Sequence, residues 1–249
     1  MLLSSPLRLD QFAPLSHEDR RALSAAVLWI RELGQGDNLV KQGERSAYCH
    51  LVLEGMLCRY KVNEDGSRQI VGFNIAGDFC DLASLVLGRV DYAIGALTTA
   101  KVAVITRREL ERIVQQRPAI QLALWQESLA EAATAREWVV NVGCRTGYQR
   151  IAHVLCEMGL RMQAAGIADD QSFDWPVSLV DLGEATGLSL IHVNRTLQQL
   201  SAEGLIRTEN TTIHVPDWQA LKEAGQFSPD YLFLGSATPQ PDLGGLPAR

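Results

Sequence analysis

The chain has 249 residues, enough for two compact domains, and its hydrophobic share of 47% is ordinary for a globular protein. Its formal net charge of −6 removes the bulk attraction on which strongly basic nucleic-acid binders rely, so any DNA contact must rest on a local surface. The apolar runs are broken by charge well short of ~18 residues, which excludes a membrane-spanning helix.

The N-terminal stretch MLLSSPLRLDQF lacks the basic start, long apolar core and small-residue cleavage site of a secretion signal, so a cytoplasmic location is expected. From about Ile30 to Ile105 the chain reads as β-rich, with short runs such as CHLVLEG, MLCRYKV, RQIVGFNI and KVAVITR separated by turns. Gly34, Gly36, Gly43, Gly55, Gly66, Gly77 and Gly88 punctuate these runs as in an antiparallel sandwich or jelly roll, with Glu64-Asp65-Gly66 as a hairpin turn. A ligand pocket between two such sheets is a natural consequence.

The pattern turns helical at Arg107, and after Pro118, a residue suited to a helix start, no proline or glycine recurs before Gly143. Leu122, Trp125, Leu129, Ala132, Arg136, Val139 and Gly143 fall at alternating steps of three and four, a coiled-coil seam with one polar interruption at Arg136. This predicts a homodimer; the competing reading is a helix packed on its own sandwich. The helix breaks between Gly143 and Thr146, and Thr146-Gly147-Tyr148-Gln149 is a capping box for the next one.

Ser178 and Asp181 form an S-x-x-D start signal for a short helix from Leu179, with Leu182, Ala185 and Leu188 on one side. Gly187 can take the positive φ that ends this helix, and Ser189 can cap a second one carrying Val193, Leu197 and Leu200 on its inner side. The second helix then presents His192, Asn194, Arg195, Gln198 and Gln199 outward. Arginine can fork onto guanine, asparagine can pair with adenine, and serine or glutamine can hold phosphates, so the set suits a major-groove helix. The β-prone segments 206–208 and 212–215 flank the turn Glu209-Asn210-Thr211 and complete a winged helix. The competing reading is a solvated helix of an all-α unit. From Ser178 to Val215 the only cations are Arg195 and Arg207, against Asp181, Glu184, Glu203 and Glu209, so non-specific DNA affinity should be low. The last segment, GSATPQPDLGGLPAR, is rich in Pro and Gly and reads as a disordered tail.

No enzyme is expected. The five histidines form no H-E-x-x-H, no P-loop or G-x-S-x-G occurs, and no catalytic residue or metal ligand set can be named. The five cysteines, Cys49, Cys58, Cys80, Cys144 and Cys156, include no C-x-x-C pair and suit reduced thiols.

The spaced glycines with GDF at Gly77 to Phe79, RIAHVL at Arg150 to Leu155, and GLSLIHVNRTLQQLSAEGLI resemble the Crp/Fnr family of bacterial transcription regulators. The resemblance covers nearly the whole chain before the tail. It implies an α+β chain: an N-terminal β-roll of the cyclic-nucleotide-binding type (1–106), a long dimerisation helix and hinge (107–145) and a C-terminal winged helix-turn-helix (146–234), followed by the tail (235–249). It also implies a homodimer on a palindromic double-stranded operator and RNA polymerase as partner. The residues expected to touch DNA are Ser178, Ser189, Leu190, His192, Asn194, Arg195 and Gln198, with Arg195 matching the base-contacting arginine.

This chain departs from the nucleotide-binding members in three places. Asp81-Leu82 stands where they carry Gly-Glu, Tyr92-Ala93-Ile94 stands where they carry an Arg-Ser/Thr-Ala run, and Ala135-Arg136 replaces their small hydroxyl residues. A cyclic phosphate would lack its arginine and lie desolvated and unpaired, so cyclic nucleotide control is not expected and no cofactor is named. Arg89 lies nearby and would substitute only if the loop shifted. No cysteine precedes Cys49, which argues against an N-terminal iron-sulfur cluster. Cys49, His50 and Cys80 leave a haem or thiol switch as the remaining alternative, beside a ligand-sensing dimer that acts through protein contacts. On the reading helix, Ile191 stands where the best-known members have glutamate, so the half-site should differ from theirs.

Overall fold

The computed structural model describes residues 7–235, and nearly all of the tail read as disordered lies outside the described residues. Among the described residues of the N-terminal half, seven strands form two antiparallel sheets: β1 (Val27–Leu33), β7 (Ala100–Thr106) and β3 (Tyr48–Glu54) in that order, and β2 (Asn38–Val40), β6 (Ala93–Ala96), β4 (Leu57–Val62) and β5 (Arg68–Asn74). Leu33, Val52, Val102 and Val104 from the first sheet meet Leu39, Leu57 and Ile94 from the second in one buried cluster. The β3–β4 turn requires glycine: Gly55 has φ 82°, and a Cβ there would lie 2.4 Å from the Thr99 carbonyl oxygen.

Three helices in this half were not anticipated from the sequence: α1 (Leu9–Phe12), α2 (His17–Ala25) and α3 (Ala83–Leu87). Ser16 and Asp19 make a capping box at the start of α2. Helix α4 (Arg107–Gln116) leads into α5 (Pro118–Cys144), and Ile120, Ala123 and Leu124 of α5 pack against Leu9, Leu110 and Ile113. Among the described residues no helix is long and apolar enough to cross a membrane.

Thr146 caps α6 (Gly147–Ala164) with Gln149 reciprocating, as the T-x-x-Q spacing predicts. Then follow β8 (Ser172–Asp174), α7 (Leu179–Thr186), α8 (Leu190–Ala202), β9 (Arg207–Glu209), β10 (Thr212–His214) and α9 (Trp218–Ala224). The wing is therefore a three-stranded sheet, β8-β10-β9, rather than the bare hairpin read from the sequence. Helix α9 was also unforeseen. Its Trp218 lies against α6 at Gly159, where a Cβ would come within 2.3 Å of the indole.

The two halves share a core. The Phe73 ring of β5 makes edge contacts with Trp138 of α5 and Trp175 of the winged unit, each at 5.6 Å. A buried polar chain crosses the same junction. Tyr231 Oη lies 3.0 Å from His153 Nε2 and donates to Glu157 Oε2, which also accepts from Trp138 Nε1 at 2.9 Å. Arg161 Nη1 lies 3.6 Å from Glu157 Oε1, while its Nη2 donates to Asp78 Oδ2 at 2.7 Å and to the Phe73 carbonyl at 3.1 Å. Burial holds the His153 imidazole down to about 3, so it stays neutral in the fold.

Glu127 of α5 sits beside this chain, fully buried, with Oε1 accepting the Phe79 N–H at 3.4 Å and Oε2 without a partner. Burial pushes its carboxyl up to about 8; Arg8 opposes the shift and Asp78 adds to it. The folded protein therefore holds one more proton than the unfolded chain between the ordinary value of 4.5 and about 8, and stability from this site falls as the pH rises through that window. Urea melts at pH 5 and pH 8.5 should show Glu127→Gln abolishing a loss on the order of a few kcal/mol that the wild type suffers. An unchanged pH dependence in the variant would show that Glu127 ionises normally.

Candidate nucleic-acid interface

Helix α7 is started by Ser178, whose hydroxyl accepts the Asp181 N–H at 3.1 Å, and is ended by Gly187 in the left-handed region at φ 68°. The turn is tight. A Cβ on Gly183 would stand 2.7 Å from the Leu188 carbonyl oxygen, so the turn folds directly over the glycine face of α7. Arg150 of α6 holds the end of α7 by donating from Nη1 to the Thr186 carbonyl at 3.0 Å. Ser189 then caps α8, accepting the His192 N–H at 3.4 Å.

Val193, Thr196 and Leu200 turn the inner face of α8 into the core. On the outside, Ser189, Leu190, Asn194, Arg195 and Gln198 are exposed, and Ile191 is 79% exposed at the first turn. Asn194, Arg195 and Gln198 make no side-chain hydrogen bond or ion pair to any described residue, so their donors and acceptors are available. Gln199 instead bonds Glu203. His192 is half-buried with its ring against the start of α6, where a Cβ on Gly147 would approach its Nε2 to 2.7 Å. The wing tip is exposed from Arg207 to Thr211 and turns at Asn210, φ 54°.

The acidic surroundings of α8 are relieved in part by one cation that the sequence alone does not connect to them, and their carboxylates are held by further hydrogen bonds. Arg68 of β5 donates from Nη2 to Asp181 and from Nε to Glu184, both at 2.6 Å, while its guanidinium lies 4.8 Å from the Tyr60 ring. Gln69 adds a bond from its Nε2 to the Glu184 carbonyl. Glu203 accepts from Tyr148 and Gln199. The charge next to the reading face is thus less negative than the residue count suggests, and α7 is tied to the β-roll.

On α5, Ile120, Leu124, Ala130, Ala133 and Trp138 face the chain's own core. The opposite side carries Leu122, Trp125, Leu129 and Val139 at 43, 61, 69 and 73% exposure, with Ala132, Arg136 and Gly143 exposed in the same stripe. The helix is therefore apolar on two sides.

Between the four-stranded sheet and α5 lies a cavity of only about 200 Å³. Arg59 of β4, 7% exposed, fills the space beside it. Its guanidinium pairs with Glu131 of α5 and lies 5.6 Å from the Tyr92 ring. Gly72 makes room, since a Cβ there would stand 3.2 Å from Arg59 Nη2. Leu82 is buried, Tyr92 donates to the Cys80 carbonyl at 3.2 Å, and Arg89 is exposed. Cys49 and Cys80 are buried; burial pushes the Cys49 thiol up to about 12 and raises that of Cys80 well above its ordinary value. His50 Nδ1 is engaged with Asp81 at 2.7 Å.

A family model for the cyclic nucleotide-binding domain matches residues 30–117, and one for a Crp-like helix-turn-helix domain matches residues 149–224. The chain is 30% identical over 193 residues to a probable transcriptional activator of Rhizobium leguminosarum bv. viciae, spanning 77% of this chain and 79% of that protein. It is 26% identical over 230 residues to the transcriptional activator protein FnrL of Cereibacter sphaeroides, spanning 90% and 91% of the two chains. The solved structure of FixK2 from Bradyrhizobium japonicum superposes with a TM-score of 0.73 at 25% identity, covering 80% of this chain and 98% of that one. With its β-roll, long helix and helix-turn-helix domain in the same order, the chain belongs to the Crp/Fnr family of transcription regulators.

Proposed function

We propose that the protein is a cytoplasmic homodimer that reads a palindromic DNA site with α8, and that it does so without cyclic nucleotide or an N-terminal iron-sulfur cluster. The observation that carries the DNA reading is the exposed, unpartnered set Asn194, Arg195 and Gln198 on a helix whose N-terminus is capped by Ser189. In this reading Ser189 holds a phosphate, Ser178 does so by giving up the bond its hydroxyl donates to Asp181 Oδ2, and Leu190 offers apolar contact to a thymine methyl group. His192, packed against Gly147, serves to hold α8 on α6. The stripe Leu122, Trp125, Leu129, Ala132, Arg136 and Val139 supplies the dimer seam. In this reading residues 1–106 form the sensor domain, 107–145 the dimer helix and hinge, and 146–234 the DNA-binding domain, with RNA polymerase as the protein partner. A gel shift with a random duplex pool separates DNA reading from a role in protein contacts alone: a retarded, selectable fraction is expected, and no retardation would favour protein contacts.

Ligand independence rests on Arg59. Its guanidinium is engaged by Glu131 in the space between sheet and α5, Tyr92 and Leu82 stand where the resemblance puts the phosphate-holding arginine and a glutamate, and the remaining cavity of about 200 Å³ is small for a nucleotide. Calorimetric titration with cyclic AMP and cyclic GMP is expected to show no micromolar binding. Tight binding of either, coupled to tighter DNA binding, would overturn this reading.

A further inference from the structure

An open groove of about 820 Å³ is cut into the β-roll between residues 45–48, 87–89 and 106–111. Four arginines line it, Arg45, Arg89, Arg107 and Arg108, against one carboxylate, Glu111, in a chain whose net charge is −6. Arg107 is fixed at the centre: its Nε donates to Glu111 Oε1 at 2.8 Å, and its Nη1 would lie 3.1 Å from a Cβ on Gly88. The other three are exposed and make no side-chain hydrogen bond or ion pair to any described residue. Gly88, at φ 73°, ends α3 and puts Arg89 on the rim. A concentration of uncompensated guanidinium groups on an otherwise acidic molecule is a field that attracts one kind of partner.

We propose that this groove is a docking surface for an acidic segment of a partner polypeptide. Exposed arginines spread along an open groove fit a string of carboxylates, each held by screened, charge-assisted hydrogen bonds. They do not enclose and desolvate a single small oxyanion, as a dedicated anion site does. Nor is the groove an extension of the DNA-reading surface. It is built from the segment entering β3, the end of α3 and the passage from β7 into α4, on the three-stranded sheet, whereas α7 is bound to β5, the edge strand of the other sheet. Docking at the groove is therefore independent of whether α8 reads DNA as proposed.

The test uses the full chain and a fluorescein-labelled twelve-residue peptide rich in Asp and Glu, with its Asn/Gln counterpart and tripolyphosphate as comparisons. Anisotropy is expected to show salt-sensitive binding of the acidic peptide only, weakened at least ~10-fold in Arg45→Glu/Arg89→Glu/Arg108→Glu. Arg108→Gln alone should give a smaller loss, and the DNA affinity and thermal unfolding of both variants should match the wild type. The proposal is overturned by no peptide binding at ~100 μM, by equal binding of the amide peptide, or by binding that survives the triple substitution. Tripolyphosphate binding without peptide binding would make the groove an oxyanion site instead, and a change of oligomeric state in the triple variant would make it a contact between copies of this chain.

Discussion

Leu129→Asp is expected to give monomers in light scattering at micromolar protein and to lower DNA affinity by at least ~100-fold. Leu129 stands at the middle of the exposed stripe of α5 and is 69% exposed in the isolated chain. In a two-fold dimer the carboxylate introduced on each protomer would face its counterpart across a seam built of Leu122, Trp125 and Val139, and two like charges would be taken out of water without partners. The fold of the single chain should survive, because the opposite face of α5, with Ile120, Leu124 and Trp138, does the packing within it. DNA affinity follows the dimer, since each half-site alone gathers only half of the contacts. Persistence of the dimer in the variant, or a monomeric wild type, would remove α5 as the interface.

Arg195→Ala is expected to cost about 1–3 kcal/mol per half-site and to relax preference at one base position, with the fold intact. Arg195 is exposed and engaged with no described residue, so its removal leaves no buried group unpaired. Asn194→Ala should cost less. His192→Ala should act mainly through stability, as its ring is wedged at Gly147. The wild-type salt dependence should be shallow, because each neutralised phosphate contributes roughly −0.9 to the slope of log K against log salt and each reading helix offers a single cation. Arg195→Ala binding its selected site as tightly as wild type would show that another surface reads the DNA.

The elements that could be read from the sequence are those whose signals are local. The strands from Tyr48 to Asn74, the Gly66 hairpin, the T-x-x-Q start of α6 and the Ser178, Gly187 and Ser189 punctuation of the helix-turn-helix all depend on neighbours a few positions apart. Helix α2 escaped although its Ser16–Asp19 start signal is local; the rest of what escaped is short or long-range. Strand β8 has three residues and is a strand only because Phe173 pairs with Ile213 of β10. Helices α1 and α3 are four and five residues long, below the length at which periodicity can be recognised. The acidity around α8 reads as unrelieved because Arg68, whose single positive charge is shared between Asp181 and Glu184, lies 113 and 116 positions away. Arg59 escaped for the same reason: on a strand it reads as a solvated residue, and only the approach of Glu131 and the bare Gly72 beside it make it a buried one.

Selection of preferred sequences from a random duplex pool by the wild-type protein tests the central claim most directly. A two-fold dimer reading through α8 should enrich an inverted repeat whose half-sites are centred one helical turn apart, about 10–10.5 base pairs. A pool that remains random after repeated selection, or that converges on a single unrepeated half-site, would contradict it.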